Sequence, residues 1–366
     1  MLATVDQILQ WTGGRLANGE SLGRLLDEIR VEKPVPLTGA KNGELAFFFS
    51  KLYQDELINA APGVLITGEP FVEPLRKSGL PLWITTAVIA CPDPYYAMAV
   101  LSEKLGAPLS TISHVPPVSG AAFASEKQIH ASAVVDPTAQ IGQGVRIGPH
   151  CVIEGGVRIG ARSILYPGCY VGPDCSIGED CVLFPGVTLY EWTRLGDRVR
   201  VHAQSVLGAD GFGYAPRRVE GAVTGQQKIY HVGKVIIGDD VEIGANSCVD
   251  RGTFGETRIE KNAKIDNLVQ VGHNAHVEEG AILCGGSCFA GNSSVGRFAL
   301  VGGLCGVTNH VHIGAGSSVA AMTLVSKDVP DGGTAVGNPQ RDHSEHFRVH
   351  ALLSRLLKDR AKKREL

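Results

Sequence analysis

Ile259-Glu260-Lys261-Asn262-Ala263-Lys264-Ile265-Asp266-Asn267-Leu268-Val269-Gln270-Val271-Gly272-His273-Asn274-Ala275-His276-Val277 is the stretch whose reading decides the fold. Every sixth residue is apolar, and the ladder continues through Leu283, Phe289, Val295, Val301, Val307, Ile313, Val319 and Val325. A period of six fits neither a helix nor a simple alternating strand. It marks a parallel β-helix of hexapeptide repeats, in which short strands coil about an axis and each side buries one apolar residue.

Upstream, the same ladder starts at Ile129 and runs through Val135, Ile141, Ile147, Ile153, Ile159, Leu165, Val171, Ile177, Leu183, Leu189, Leu195, Val201 and Leu207. Gly follows the aliphatic residue at Gly142, Gly148, Gly160, Gly172, Gly178 and Gly196, as expected where the chain turns a corner. Three sides close one coil of 18 residues, and coils stack at roughly 4.8 Å, so near ten coils give a prism on the order of 45 Å long. Two excursions interrupt the ladder, near 209–234 and 251–258, with Ile237, Ile243 and Val249 between them. Insertions in a solenoid collect on one face, often the functional one.

Residues 1–115 lack the ladder. Val5 to Trp11 reads as a short amphipathic helix stopped by Gly13-Gly14. Strands are expected at Leu45–Phe49, Val64–Thr67, Leu82–Ile84 and Val88–Ala90. Asp93-Pro94 then opens a helix over Tyr95 to Leu105. This is a small α/β domain, joined by a Pro-rich linker (116–128) to the β-helix of 129–340. Residues 341–366 read as a helix with an apolar stripe of His346, Val349, Leu352, Leu353 and Leu356. Arg348, Arg355, Lys358, Arg360, Lys362, Lys363 and Arg364 make it basic. Such a helix suits packing on a partner subunit, docking of an acidic partner, or both. The fold class is therefore mainly β.

The formal charge of −3 argues against a surface that coats nucleic acid. With 46 Gly and 6% aromatic residues, the composition suits narrow coils whose corners need small side chains. Cys151, Cys169, Cys175 and Cys181 share one slot, two residues before the aliphatic stop, where a free thiol packs as a small hydrophobe. No C-x2-C pair occurs, which leaves a structural zinc site little support. All nine cysteines are expected to be reduced. No segment has the length and apolarity of a membrane span or a secretory leader, so the expected location is cytoplasmic.

A β-helix is a scaffold, so chemistry must come from particular side chains. His273 lies two residues past Val271, in the outward half of its hexad, where a neutral imidazole can act as a general base. One coil further is Gly291, whose backbone N–H should lie beside that ring. A base next to a bare amide donor suits acyl transfer, the donor stabilising a tetrahedral oxyanion. Asp266, seven residues before His273, is a candidate to orient it; His310, two coils and one residue beyond, can bind an anion or cap a corner. The pairs His273/His276 and His310/His312 also admit a zinc site like that of γ-type carbonic anhydrases, which are shorter and lack the first domain.

Gly208-Ala209-Asp210-Gly211-Phe212-Gly213-Tyr214, Ile265-Asp266-Asn267, Val271-Gly272-His273-Asn274 and Gly337-Asn338-Pro339 carry a resemblance over almost the whole chain. It is to the UDP-3-O-(3-hydroxyacyl)glucosamine N-acyltransferases of lipid A biosynthesis. The resemblance implies a left-handed β-helix, opposite to ordinary crossovers, a uridine-binding first domain and a homotrimer with active sites between adjacent β-helices. It implies that acyl carrier protein delivers a 3-hydroxyacyl chain on its phosphopantetheine arm to the 2-amino group of UDP-3-O-acyl-glucosamine. No cofactor is held permanently. By matching position, His273 is implied as base, Gly291 as oxyanion donor and Asp266 as their assistant. Substrate contacts are implied for His310, Asn274, Asp210, Phe212 and Tyr214. Phe47 and Tyr53 match the aromatic pair that embraces uracil, with Ser50 where the family has Asn. A hydroxyl replaces only part of an amide's hydrogen bonding. Lys327, Arg348 and Arg355 match the basic side toward the carrier protein. Two other readings are a UDP-N-acetylglucosamine O-acyltransferase, which lacks the large first domain and the Asp210–Tyr214 loop, and a non-catalytic β-helix scaffold.

Overall fold

The computed structural model describes residues 2–106, 128–337 and 343–362. Of the expected linker, only Gln128 falls among the described residues, and Asn338 and Pro339 fall outside them. The chain divides into two units, Met1–Pro116 and Pro117–Leu366.

In the first unit, Val5–Thr12 is a helix with Thr4 in a capping box and Gly13 in the left-handed conformation at its end. A five-stranded sheet runs in the order Arg15–Leu16, Ala87–Cys91, Val64–Gly68, Glu44–Phe48 and Lys33–Pro34. It is parallel except for the first pair. The helix expected at Tyr95 to Leu105 begins at Pro94, its first turn capped by Asp93, and is α-helical to Leu101 before a π turn over Ser102–Gly106. The strand expected at Leu82–Ile84 is instead a single helical turn, Leu82–Thr85. The buried Asn18 amide explains the correction: it donates to the carbonyls of Trp83 and Thr86 and accepts from Val88 N–H, so this backbone is satisfied without a ladder.

In the second unit, two-residue strands stack into three parallel sheets of nine, ten and eleven strands. The pairing is in register at one coil: Ile147 on Leu165, Leu165 on Leu183, Val271 on Phe289. Excursions lengthen a coil while the apolar stops keep their partners, Leu207 with Val249 and Val249 with Val271. A bulge after Leu207 sets Ala209 opposite Asp250 where the first excursion leaves the ladder. The apolar stops form one continuous core.

The corner glycines have a different role from the expected one. The left-handed residue is the third after the stop, as at Gly144 (φ 69°), His150 (φ 59°) and Arg162 (φ 62°). The glycine directly after the stop is required by close stacking: a Cβ at Gly160 would lie 2.5 Å from the backbone of Gly178 in the next coil. The cysteine slot is buried, and its thiols donate to carbonyls about one coil away: Cys151 Sγ to Tyr166 O at 3.0 Å, Cys175 Sγ to Tyr190 O at 3.0 Å. Ser163, Ser205 and Ser287 make the equivalent bond elsewhere along the ladder. All nine cysteines are free. Burial pushes the Cys175 thiol up to about 12 and Cys181 to about 11, so both stay protonated.

The first excursion is a β-hairpin, Tyr214–Val219 with Ala222–Lys228. The second, after Asp250, hydrogen-bonds to the return of the first: Val232 N–H to Thr253 O, Gly233 N–H to Gly252 O, and Lys234 N–H to Gly255 O. A final helix spans His343–Lys362, with Leu352, Leu353 and Leu356 all more than half exposed in the single chain. Among the described residues no helix is long and apolar enough to cross a membrane.

Candidate active site

His273 follows strand Gln270–Val271, on the side of the prism that also carries Val206–Ala209, Cys248–Asp250, Cys288–Phe289, Gly306–Val307 and Leu324–Val325. Both excursions arise on or beside this side. A cavity of about 820 Å³ opens there. Its polar end is formed by Asp210, Lys228, Asp250, His273 and Gly291; its other end is Cys288, Gly306, Val307 and Leu324.

The tautomer of His273 follows from its neighbour. Asn274 Oδ1 accepts the backbone N–H of Thr253 at 3.0 Å, which identifies that atom as the amide oxygen. The same oxygen lies 3.1 Å from His273 Nδ1, and the Thr253 hydroxyl oxygen lies 3.3 Å from it. With the proton on Nδ1 both can accept, whereas a bare Nδ1 would face the Asn274 oxygen lone pair to lone pair, so Nδ1 carries the proton. Nε2 is then the basic nitrogen. It faces Gly291 so closely that a Cβ there would lie 2.5 Å from it. Among the described residues the Gly291 N–H makes no hydrogen bond. A free lone pair and a free amide donor thus share one wall of the cavity.

The Asp210–Tyr214 loop is seated against this ring. Arg251, 3% exposed, holds its entry by donating from Nε to Gly208 O at 2.6 Å and from Nη1 to Glu191 Oε1 at 2.7 Å. Asp210 is ion-paired with Lys228 at 2.6 Å across the base of the hairpin. Gly211 has no room for a Cβ, which would meet both His231 and His273 at 2.9 Å. Phe212 and Tyr214 line the cavity edge to face, 5.0 Å apart.

Three residues expected at the site are placed otherwise. Asp266 does not orient His273 within one chain: its carboxylate accepts from Asn267 N–H and Gly285 N–H and lines a different concavity with Lys264 and Cys284. The reason is geometric, since a step of one hexad moves to the next side of the prism. Asn274 is turned to Thr253 and His273 rather than into the cavity. His310 is an exposed left-handed corner (φ 62°), stacked below Asn274 and Asn292, while Thr308 and Asn309 are the residues that face the cavity. The His pairs do not converge either, for His276 meets Glu260 and His312 meets Ser294. Among the described residues no group of three His, Cys, Asp or Glu is placed to hold a metal.

Two groups were missed. Asp250 follows Val249, which pairs with Val271, so it lies one coil from Gly272 and His273, and it lines the cavity. Burial pushes its carboxyl up to about 6, although Gln270 and His273 favour the charged form. Its signal lay in the ladder, as the residue after Val249, once the second excursion is subtracted from the coil length. His231 is buried with its ring 5.3 Å from His273. Its Nδ1 donates to Ile229 O, and burial, then His273, holds it below the ordinary imidazole range. Nothing in the sequence distinguishes it from a surface hairpin residue.

In the first unit, Phe47 is half-buried against the core, Tyr53 is exposed, and Ser50 Oγ caps Lys51–Asn59 by accepting Leu52 N–H. Lys327 is exposed in the bend after Leu324–Val325, and Arg348 and Arg355 are exposed on the final helix.

A family model described as the GMPPB C-terminal domain matches residues 123–254 and so stops short of His273. The UDP-3-O-acylglucosamine N-acyltransferase of Helicobacter hepaticus is 34% identical over 328 residues, covering 90% of this chain and 90% of that protein. The chain belongs to the UDP-3-O-acylglucosamine N-acyltransferase family. The family's member from Delftia acidovorans is 32% identical over 365 residues, 99% of this chain and 95% of its own. Like its relatives, the chain is an acyltransferase; it is built as a parallel β-helix with an α/β domain before it in the chain and a helix after it. Among solved structures, UDP-N-acetylglucosamine acyltransferase from Francisella novicida is 25% identical, with a TM-score of 0.45, covering 61% of this chain and 73% of that one.

Proposed function

We propose that the protein transfers a 3-hydroxyacyl chain from acyl carrier protein to the 2-amino group of UDP-3-O-acyl-glucosamine, in lipid A biosynthesis. The observation that carries this reading is the pairing of a basic His273 Nε2 with the free Gly291 amide in one cavity. The amine attacks the thioester carbonyl, His273 removes its proton, and Gly291 N–H stabilises the oxyanion. The proton then goes to the departing thiolate of the phosphopantetheine arm, which enters as part of the donor. The end of the cavity lined by Val307 and Leu324 suits the acyl chain.

In this reading the working form is a homotrimer, with the cavity walled by a second chain. Asp266, on another side of the prism, then reaches a neighbour's His273 rather than its own. His310 lies at the mouth for the sugar phosphate, and Phe47, Ser50 and Tyr53 hold uracil. The Ser50 hydroxyl is already engaged with Leu52 N–H, which leaves it less to offer the base than an Asn would have. Lys327, Arg348 and Arg355 face the acidic carrier protein.

The test is amide formation by purified protein with UDP-3-O-acyl-glucosamine and a set of acyl carrier protein thioesters. His273→Ala should lower kcat by roughly two to four orders of magnitude while acceptor binding persists. Turnover unaffected by the substitution would remove the mechanism. No turnover by the wild type with any donor would turn the reading to another acceptor or to a scaffold.

A further inference from the structure

An amine acceptor poses a proton problem that a hydroxyl acceptor does not. Near neutral pH an amine with electron-withdrawing neighbours is largely an ammonium, ionising in the range of about 7.7–8.0 seen for α-amino groups. Two protons must therefore leave the nitrogen. One goes before attack, to free the lone pair, and one goes as the adduct collapses to the amide. His273 has a single vacant position, Nε2, because Nδ1–H is committed to Asn274 Oδ1.

His231, its Nδ1–H on Ile229 O, has its Nε2 buried and does not line the cavity, so it does not meet the acceptor. The other titratable groups at the polar end divide clearly. Lys228 is a cation paired with Asp210, and it offers donors only. Asp210 has its charge compensated by that pair. Arg251, next to Asp250 in sequence, is turned away to Glu191 and Gly208. Asp250 has no ion-pair partner among the described residues. It faces Gln270, which hydrogen-bonds it, and the nearby His273, Asp210 and Cys248. It is a half-buried carboxylate beside the base, in the wall of the same cavity.

We infer that Asp250 is a second catalytic group, which binds the acceptor as an ammonium and takes its first proton. This assignment rests on the reading of the site as an N-acyltransferase. Asp250 accepts a proton from R–NH3+ and later releases it to solvent. The neutral amine then forms the C–N bond with the thioester carbon. His273 Nε2 takes the second proton, the C–S bond breaks, and His273 returns that proton to the thiolate. The sum is ammonium plus thioester giving amide, thiol and one free proton. Because burial sets Asp250 near 6, it is mostly ionised at neutral pH, yet basic enough to share a proton with the acceptor. The placement also gives the site a preference for an amine over a hydroxyl, since only the ammonium is attracted by the carboxylate.

The pH profile of kcat/KM for amide formation tests this, comparing wild type, Asp250→Asn and Asp250→Glu as full-length proteins. Asp250→Asn keeps the shape and removes the charge. It should lose roughly 10- to 100-fold at about pH 7 and recover to within about threefold of wild type by about pH 9, where the acceptor is already a free amine. Asp250→Glu should restore part of the loss at neutral pH. A deficit that stays constant with pH, or no deficit at all, would overturn the assignment while leaving the acyltransferase reading intact. If the wild type itself makes no amide, the functional reading falls first and this one with it. Melting curves of the three proteins separate a folding defect from a chemical one: a variant that melts as wild type does and still shows a flat deficit counts against the proposal.

Discussion

His273 is one of several outward histidines on the ladder, and its neighbours make it different. Asn274 occupies a left-handed corner (φ 60°), a conformation Asn tolerates, and from there its oxygen reaches back to Nδ1. Gly291 leaves the space into which the ring turns. Gly291→Ala tests that arrangement, because the added methyl would lie 2.5 Å from Cε1 and Nε2 and must push the imidazole aside. The φ of Gly291 is not in the left-handed region, so the fold should tolerate the change. We expect kcat to fall by about 10²–10³, the scale of a disturbed oxyanion site, with Tm nearly unchanged. A variant with full activity would show that the ring position does not matter.

At the scale of elements, the coil is rigid and the excursions are held to it at a few points. Arg251 is the main one: a buried guanidinium joins the carbonyl of Gly208, the carboxylate and carbonyl of Glu191, and the edge of the Asp210 loop. Its removal leaves Glu191 without its partner and the Gly208 carbonyl unsatisfied. Arg251→Ala should cost about 3 kcal/mol, the low end for breaking a buried pair, because Glu191 is partly solvated. Denaturant unfolding would measure it. Activity should fall with it, since Asp210, Phe212 and Tyr214 depend on that entry point. A stability change within about 0.5 kcal/mol, as at an ordinary surface site, would contradict this account.

At the scale of the whole molecule, one chain is left with surface that a monomer does not explain. Leu352, Leu353, Leu356 and Leu357 are all more than half exposed along the final helix, and Leu324 and Leu304 are exposed on the prism. Such surface commonly marks interaction sites. The proposed homotrimer makes a direct prediction: sedimentation equilibrium should return three times the chain mass. A monomer at assay concentration would leave Asp266 without a route to any His273.

The hexad period by itself determined the β-helix, its stacking direction and the position of its core, because a stop every six residues leaves few other ways to bury those side chains. It also placed Gly291 beside His273, since a uniform coil turns a sequence interval into a distance. The same arithmetic failed at Asp266, where the interval names a different side of the prism, and at Asp250, where an inserted excursion changes the coil length. In the first domain, Leu82–Ile84 looked like a strand because an apolar triplet carries no period. The Asn18 amide, more than sixty residues away in sequence, decided otherwise. His231 was legible nowhere, because its burial comes from a hairpin returning over the coil. Repetition makes local sequence report on tertiary contacts; where repetition stops, at loops and side-chain hydrogen bonds across them, only the folded chain decides which groups meet.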